Sequence, residues 1–205
     1  MTRRLFKRGR FDIGSKEKYM TVKLWDVVSS EQDKSYGIFS FRTDRALSPR
    51  TGLEYDFYIL ESTAWVNIIP LTQENEVILI RQYRHGIRDL TLEIPGGLVE
   101  GQDTPEEAAV RELREETGYE ASEMIPLGSV LPNPAIQNNR CHTFLATDVT
   151  LVGEQQLDEQ EDIEVIRRPL ANIPGLIQKG DINHSLVVAA FLKYYLERES
   201  PGQCP

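Results

Sequence analysis

Cysteine is scarce in this sequence. The two cysteines, Cys141 inside an apolar run and Cys204 near the C-terminus, form neither a disulfide framework nor a metal-ligand spacing. That scarcity fits a reducing, cytoplasmic setting. Histidine is also rare: His85, His142 and His184 show no mutual spacing of a metal site and read as structural or surface groups. Long apolar runs are missing. The longest, SLVVAAFL at residues 185–192, is far too short to span a bilayer. The basic opening MTRRLFKRGRFDIGSKEKY has no apolar segment behind its charges, so no targeting signal is read and a soluble chain is expected. Excess positive charge is absent as well. With 23 basic against 32 acidic residues the net charge is -9, which argues against a face built to neutralise nucleic-acid phosphates. A local basic pocket for a small anion stays allowed. No internal repeat or low-complexity segment occurs.

What is present is ordinary globular composition, 40% hydrophobic and 27% charged, over 205 residues. TVKLWDVV, YGIFSFRT and YDFYIL are rich in β-branched and aromatic residues and are separated by SSEQDKS and by the Pro-Arg-Thr-Gly turn at 49–52. They predict a small β unit of about three strands. WVNIIP and EVILIRQY around LTQENE predict a hairpin, and TLEI a short strand. After a helix at about 104–117 come EMIPLGSVL, CHTFLATDV, a glutamate-rich loop, IEVIRR, and helices near 169–178 and 183–197. A sheet flanked by helices in this irregular order is an α/β or α+β sandwich. The division expected is an N-terminal β unit at 1–60, a main domain at 61–198 and a frayed tail at 199–205.

The helix near 104–117 is strongly punctuated. Thr104 caps it, Pro105 suits its first position, Glu107 completes a capping box and Gly118 ends it. Within it Ala108, Ala109 and Leu113 face a core. Glu112, Glu115 and Glu116 stand at i, i+3 and i+4, placing three carboxylates on one stripe roughly 5 to 6 Å apart. Such a stripe is either a solvated face paired with Arg111 and Arg114 or a seat for a hard divalent cation such as Mg²⁺, which chooses oxygen ligands. The preceding Pro95-Gly96-Gly97 favours the second, because small residues let backbone approach a ligand closely.

The spacing of Gly97, Asp103, Arg111, Glu112, Leu113, Glu115, Glu116, Gly118 and Tyr119 resembles the Nudix box. Asp103 stands where glutamate is usual and Tyr119 where an aliphatic residue is usual. The resemblance extends from about Trp25 to Tyr195 and is nearest the NDP-sugar and ADP-ribose pyrophosphatase branch, through RQYRH at 81–85, LEIPGG at 92–97 and the acidic DEQEDIEV at 158–165. It implies the Nudix α/β/α sandwich with an additional N-terminal antiparallel β unit.

It further implies an enzyme that hydrolyses the diphosphate of an NDP-sugar, with ADP-ribose leading and GDP-mannose or another NDP-sugar as alternative. Glu112, Glu116 and the Gly96 carbonyl would hold Mg²⁺, which Mn²⁺ could replace, with Glu115 bridging or behind them and Arg111 orienting the carboxylates. Glu161 would activate water, with Glu159 as second candidate. Arg84 would contact the diphosphate through its planar fork; Arg81, on the same segment, and Arg140 are further candidates. Trp25, Phe57 and Tyr58 are available to stack on the base. The branch implies a homodimer whose N-terminal units are exchanged, acting on a small molecule with no nucleic-acid or membrane partner. The rival readings are an NDP-sugar sensor without turnover and an enzyme for nucleoside triphosphates or capped RNA ends.

Overall fold

The computed structural model describes residues 22–199. The basic opening, the tail from residue 200 and Cys204 lie outside the described residues. Three antiparallel strands come first: β1 (Asp26–Ser35), β2 (Ser40–Leu47) and β3 (Glu54–Glu61), forming their own sheet in that order. The turn joining β2 to β3 closes where expected, with Ser48 N–H donating to Leu53 O at 2.9 Å and Gly52 N–H to Ser48 O at 2.9 Å.

SSEQDKS, read from sequence as a separator, is strand instead and makes up most of β1. Every residue of β1 is exposed, so no buried face imposes the apolar alternation by which strands are recognised. Pairing holds it: Glu31 stands across from Thr43 and Gln32 from Arg42, with register shifts on either side. Residues 22–25, expected to belong to this strand, pair with no neighbouring strand among the described residues.

The main sheet contains β4 (Trp65–Leu71), β5 (Glu76–Arg84), β6 (Asp89–Glu93), β8 (Glu123–Val130), β9 (Cys141–Thr147) and β11 (Ile163–Pro169). Its order is β11-β5-β4-β9-β8, with β6 also on β5; β4 and β9 run parallel and the other pairs are antiparallel. A two-stranded ribbon joins β7 (Tyr119–Glu120) to β10 (Thr150–Leu151). Helix α1 (Pro105–Thr117) lies on one face of the main sheet, and α2 (Ile173–Lys179) and α3 (Ser185–Glu199) on the other. Helix α2 begins later than the sequence pattern indicates, because Leu170–Asn172 form a separate 3₁₀ turn, and α3 begins at Ser185.

The continuous apolar runs of β4 and β5 follow from this layering. Val77 and Leu79 point into the core under α2 and α3, Ile78 points into the core under α1, and all three are fully buried. A strand covered on both faces needs apolar residues at every position. The two cores hold α1 and its glutamates at a fixed height above the sheet, since Ala108, Ala109 and Leu113 are buried against Val66, Ile68 and Ile78. Leu79→Ala should lower unfolding free energy by about 2–5 kcal/mol through lost transfer and cavity terms, read as a shift of the urea midpoint at unchanged m-value.

Candidate active site

The capping box forms as its sequence indicates. Thr104 Oγ1 accepts from Glu107 N–H at 3.2 Å, and the Glu107 carboxylate accepts from Thr104 N–H at 2.8 Å. At the other end Gly118 adopts φ 74°, where a Cβ would strike the Gly153 carbonyl. The helix register is therefore set from both ends, and the glutamate stripe with it.

The chain between β6 and α1 passes over that stripe. Pro95 O and Gly97 O accept from Ile68 and Val66 N–H, at 2.9 Å each, so this segment is stitched to β4. Gly96 N–H donates to Glu116 Oε2 at 2.8 Å. Gly97 lies so close to Glu112 that a Cβ there would stand 2.5 Å from the carboxyl carbon, and a Cβ on Gly96 would collide with the Val66 carbonyl. Both glycines are required by proximity.

The three glutamates are not equivalent. Glu112 and Glu116 are buried, at 8% and 3% exposure, whereas Glu115 is half-exposed. Arg111 Nη1 donates to Glu112 Oε1 at 3.0 Å and to Glu115 Oε2 at 2.9 Å, its Nη2 donates to Leu98 O at 3.0 Å, and its Nε reaches Asp103 at 3.4 Å. Asp103 thus touches Arg111 only through a long contact, as its short side chain dictates. Among the described residues no three acidic, histidine or cysteine side chains converge as a ready metal cage. The stripe of three expected from spacing therefore divides into a buried pair and an outer member that Arg111 draws away.

Burial pushes Glu112 up to about 7, against the pull of Arg111 and with the charges of Glu115 and Glu161 adding to the rise. Burial likewise pushes Glu116 up to about 8, relieved by Gly96 N–H and raised further by Glu112 and Glu161. Glu112 shares Arg111 with Glu115, and Glu116 forms no ion pair among the described residues. Two desolvated, mutually repelling carboxylates beside a glycine backbone form an oxygen donor set that fits a hard divalent cation.

The acidic loop reaches this site because it caps α1. Gln156 N–H donates to Glu115 O at 2.8 Å, and Gln155 Nε2 to Glu116 O at 2.6 Å and to Ile163 O at 3.1 Å. Carbonyls at a helix C-terminus lack partners within the helix, and these are satisfied by the loop. Glu161 then sits where its charge acts on both buried glutamates, held in a turn by Asp158 N–H at 3.1 Å. Glu159 is not among the charges that raise either one.

The arginine candidates separate. Arg81 pairs with Glu164 across β5 and β11 at 3.0 Å, an exposed strand-surface pair. Arg140 makes one long contact, 3.4 Å to Ser129. Arg84 places Nε and Nη2 on Glu93 at 2.8 and 2.7 Å, so two arms of the fork expected to meet phosphate are already engaged. Glu93 was not singled out from sequence. Its signal was a lone acid in the otherwise buried run TLEIP.

Trp25 and Phe57 meet edge to face at 5.3 Å and, with Tyr55 and Arg50, line a cleft of about 660 Å³ made only of residues 22–57. Tyr58, next to Phe57 on a strand, points to the opposite face and is 68% exposed. The aromatic trio expected from sequence is therefore a pair with Tyr58 apart. No lining residue is shared between this cleft and the glutamate pair.

Fold and site together define an α/β sandwich whose candidate active site is built on one glutamate-bearing helix. The family described as NUDIX domain matches residues 62–191. An ADP-ribose pyrophosphatase of Bacillus subtilis is 30% identical over 125 residues, 60% of this chain and 68% of that protein. One of Mycobacterium tuberculosis is 28% identical over 170 residues, 82% of each. A crystal structure of an ADP compounds hydrolase superposes with a TM-score of 0.77 at 23% identity, covering 90% of this chain and 99% of that one, a likeness of fold. The chain belongs to the NUDIX family. It is a Nudix hydrolase of the ADP-ribose pyrophosphatase branch, an enzyme that cleaves diphosphate linkages. Among the described residues no helix is long and apolar enough to cross a membrane.

The raised glutamates give a pH test. Between the ordinary carboxylate range and about 8 the folded protein binds more protons at Glu112 and Glu116 than the unfolded chain does, so their contribution to stability is lost as pH rises. Without divalent metal, the wild-type thermal midpoint should fall from pH 5 to pH 8. The Glu116→Gln variant, which mimics the protonated group, should fall less, and Mg²⁺ should restore wild type at pH 8 by binding the deprotonated pair.

Proposed function

We propose that the protein is a Mg²⁺-dependent hydrolase of NDP-sugars, with ADP-ribose as leading substrate, releasing a nucleoside monophosphate and a sugar phosphate. The observation that carries the reading is the buried pair Glu112 and Glu116 under the Gly96-Gly97 backbone, with Glu161 within electrostatic reach. The ADP-ribose pyrophosphatases of two organisms among its relatives support the choice of sugar nucleotide.

Glu112, Glu116 and the Gly96 carbonyl would hold the metal, which supplies Lewis-acid charge stabilisation to the diphosphate oxygens and lowers the pKa of water. Arg111 keeps Glu112 and Glu115 apart in fixed directions. The Glu161 carboxylate takes a proton from the attacking water as the new P–O bond forms and the bridging P–O bond breaks. Arg84 meets the diphosphate with the part of its guanidinium that Glu93 leaves open. Arg81, Arg140 and Tyr58 have weaker claims, being tied to Glu164, turned towards Ser129 and separated from the cleft.

The N-terminal sheet supplies base binding and dimerisation in this proposal. Trp25 and Phe57 line a cleft of nucleotide size, apart from the glutamates of their own chain. Strand β1 exposes Val27 and Val28 and its connection to β2 exposes Tyr36 and Ile38, and apolar patches of this kind mark interfaces. A homodimer that lays this unit beside the partner's glutamates joins base site to diphosphate site.

Hydrolysis of a panel of ADP-ribose, GDP-mannose, UDP-glucose and ATP with Mg²⁺ should rank ADP-ribose first. Glu116→Gln should lose roughly three orders of magnitude in kcat, the several kcal/mol that a metal contributes. Binding of an NDP-sugar without turnover by wild type, with either Mg²⁺ or Mn²⁺, would replace the enzyme by a sensor. Sedimentation equilibrium at assay concentration should give twice the chain mass; a fully active monomer would remove the shared site.

A further inference from the structure

We infer that Glu93 is the positioning residue for Arg84, holding its guanidinium so that one free edge faces the substrate diphosphate. The inference rests on the reading that Arg84 contacts the phosphates. The hairpin of β5 and β6 places Arg84 directly across from Asp89, Gln82 across from Thr91, and Ile80 across from Glu93. Opposite residues share a face, so Asp89 is the nearest carboxylate to the Arg84 backbone. Arg84 nevertheless makes no ion pair with Asp89, whose Oδ1 accepts from Leu90 N–H. It folds back along the hairpin, past Thr91, to take both oxygens of Glu93.

That direction leads towards Pro95 and the glycines beside the glutamate pair. Arg84 and Glu116 accordingly feel one another's charge. The pair is sealed at one end and open at the other, with the Glu93 side chain 3% exposed and that of Arg84 44%. Thr91 Oγ1 donates to Glu93 Oε1 at 2.5 Å, and His184 Nδ1, which has no hydrogen-bond partner among the described residues, stands 3.6 Å from Oε2. Glu93 is thus held by Arg84 and Thr91, with the His184 ring beside it. A buried ion pair is weak as a source of stability compared with apolar packing of the same volume, but its planar two-bond geometry fixes a guanidinium in orientation. The two donors of Nη1 make no hydrogen bond among the described residues and form the open edge.

The test is a double-mutant cycle of Glu93→Gln and Arg84→Gln, reading KM and kcat for ADP-ribose, the Kd of non-hydrolysable α,β-methylene-ADP-ribose and the thermal midpoint. Glu93→Gln should raise KM and Kd by roughly ten- to hundredfold, the worth of a charge-assisted hydrogen bond, with a smaller change in kcat. In the Arg84→Gln background the same change should add less than about twofold, because coupled residues are not additive. A Glu93→Gln enzyme with wild-type KM and Kd, or one losing the same factor in both backgrounds, overturns the positioning role. Unaltered KM and Kd in Arg84→Gln alone would instead remove the phosphate contact underneath it. Should Glu93→Gln not fold, Glu93→Asp, which keeps the buried charge but withdraws it by one methylene, carries the same cycle.

Discussion

The constraint on which the site depends is the confinement of two like-charged carboxylates beneath a glycine backbone. Glu112 and Glu116 are one helical turn apart, and both are buried under Gly96 and Gly97. Their backbone positions are fixed by α1, which is capped at both ends and packed through Leu113. Their mutual repulsion and burial favour a bound proton, and a cation bound there would act in the same sense, coupling its binding to pH.

The two flanking arginines show how the same burial yields opposite results. Glu93 is as deeply buried as Glu116, and burial alone would push both up. Arg84, with help from Thr91 and His184, holds Glu93 below the usual carboxylate range, while Glu116 has one backbone N–H and rises to about 8. A carboxylate with a dedicated cation stays charged and can orient that cation; one without is left to accept an ion from solution. Arg111 occupies a middle position, bonding Glu112 and Glu115 at once without neutralising Glu116.

The acidic loop and the N-terminal sheet stand in different relations to this centre. The loop is drawn in by backbone chemistry, since Gln155 and Gln156 satisfy carbonyls at the end of α1 and bring Glu161 with them. The N-terminal sheet touches the main domain lightly, through Leu60 N–H to Ile136 O and Asn138 to Glu61. Its aromatic cleft is complete within residues 22–57.

Much of this was legible in the sequence because the signals were local. The capping box at Thr104 and Glu107, the left-handed stop at Gly118, the inward Ala108, Ala109 and Leu113, and the existence of β4 and β5 all follow from neighbours a few residues away. So does the membership of the glutamate stripe, which the box spacing marks. Residues 29–35 were not legible as strand, since a strand exposed on every side has no apolar period to display. Nor could spacing tell Glu115 from its neighbours, or show that Arg84 bypasses Asp89 for Glu93. Those outcomes turn on desolvation and on which partner each group takes: the glycines at residues 96–97 and the loop around Glu161 from other segments, and Arg111 by the direction its side chain adopts on the helix. The sequence by itself determined which residues could form the helix, the core and the carboxylate set. Only the tertiary structure decided which carboxylates lose water and which keep a counter-ion, because that depends on atoms brought together from segments far apart in the chain.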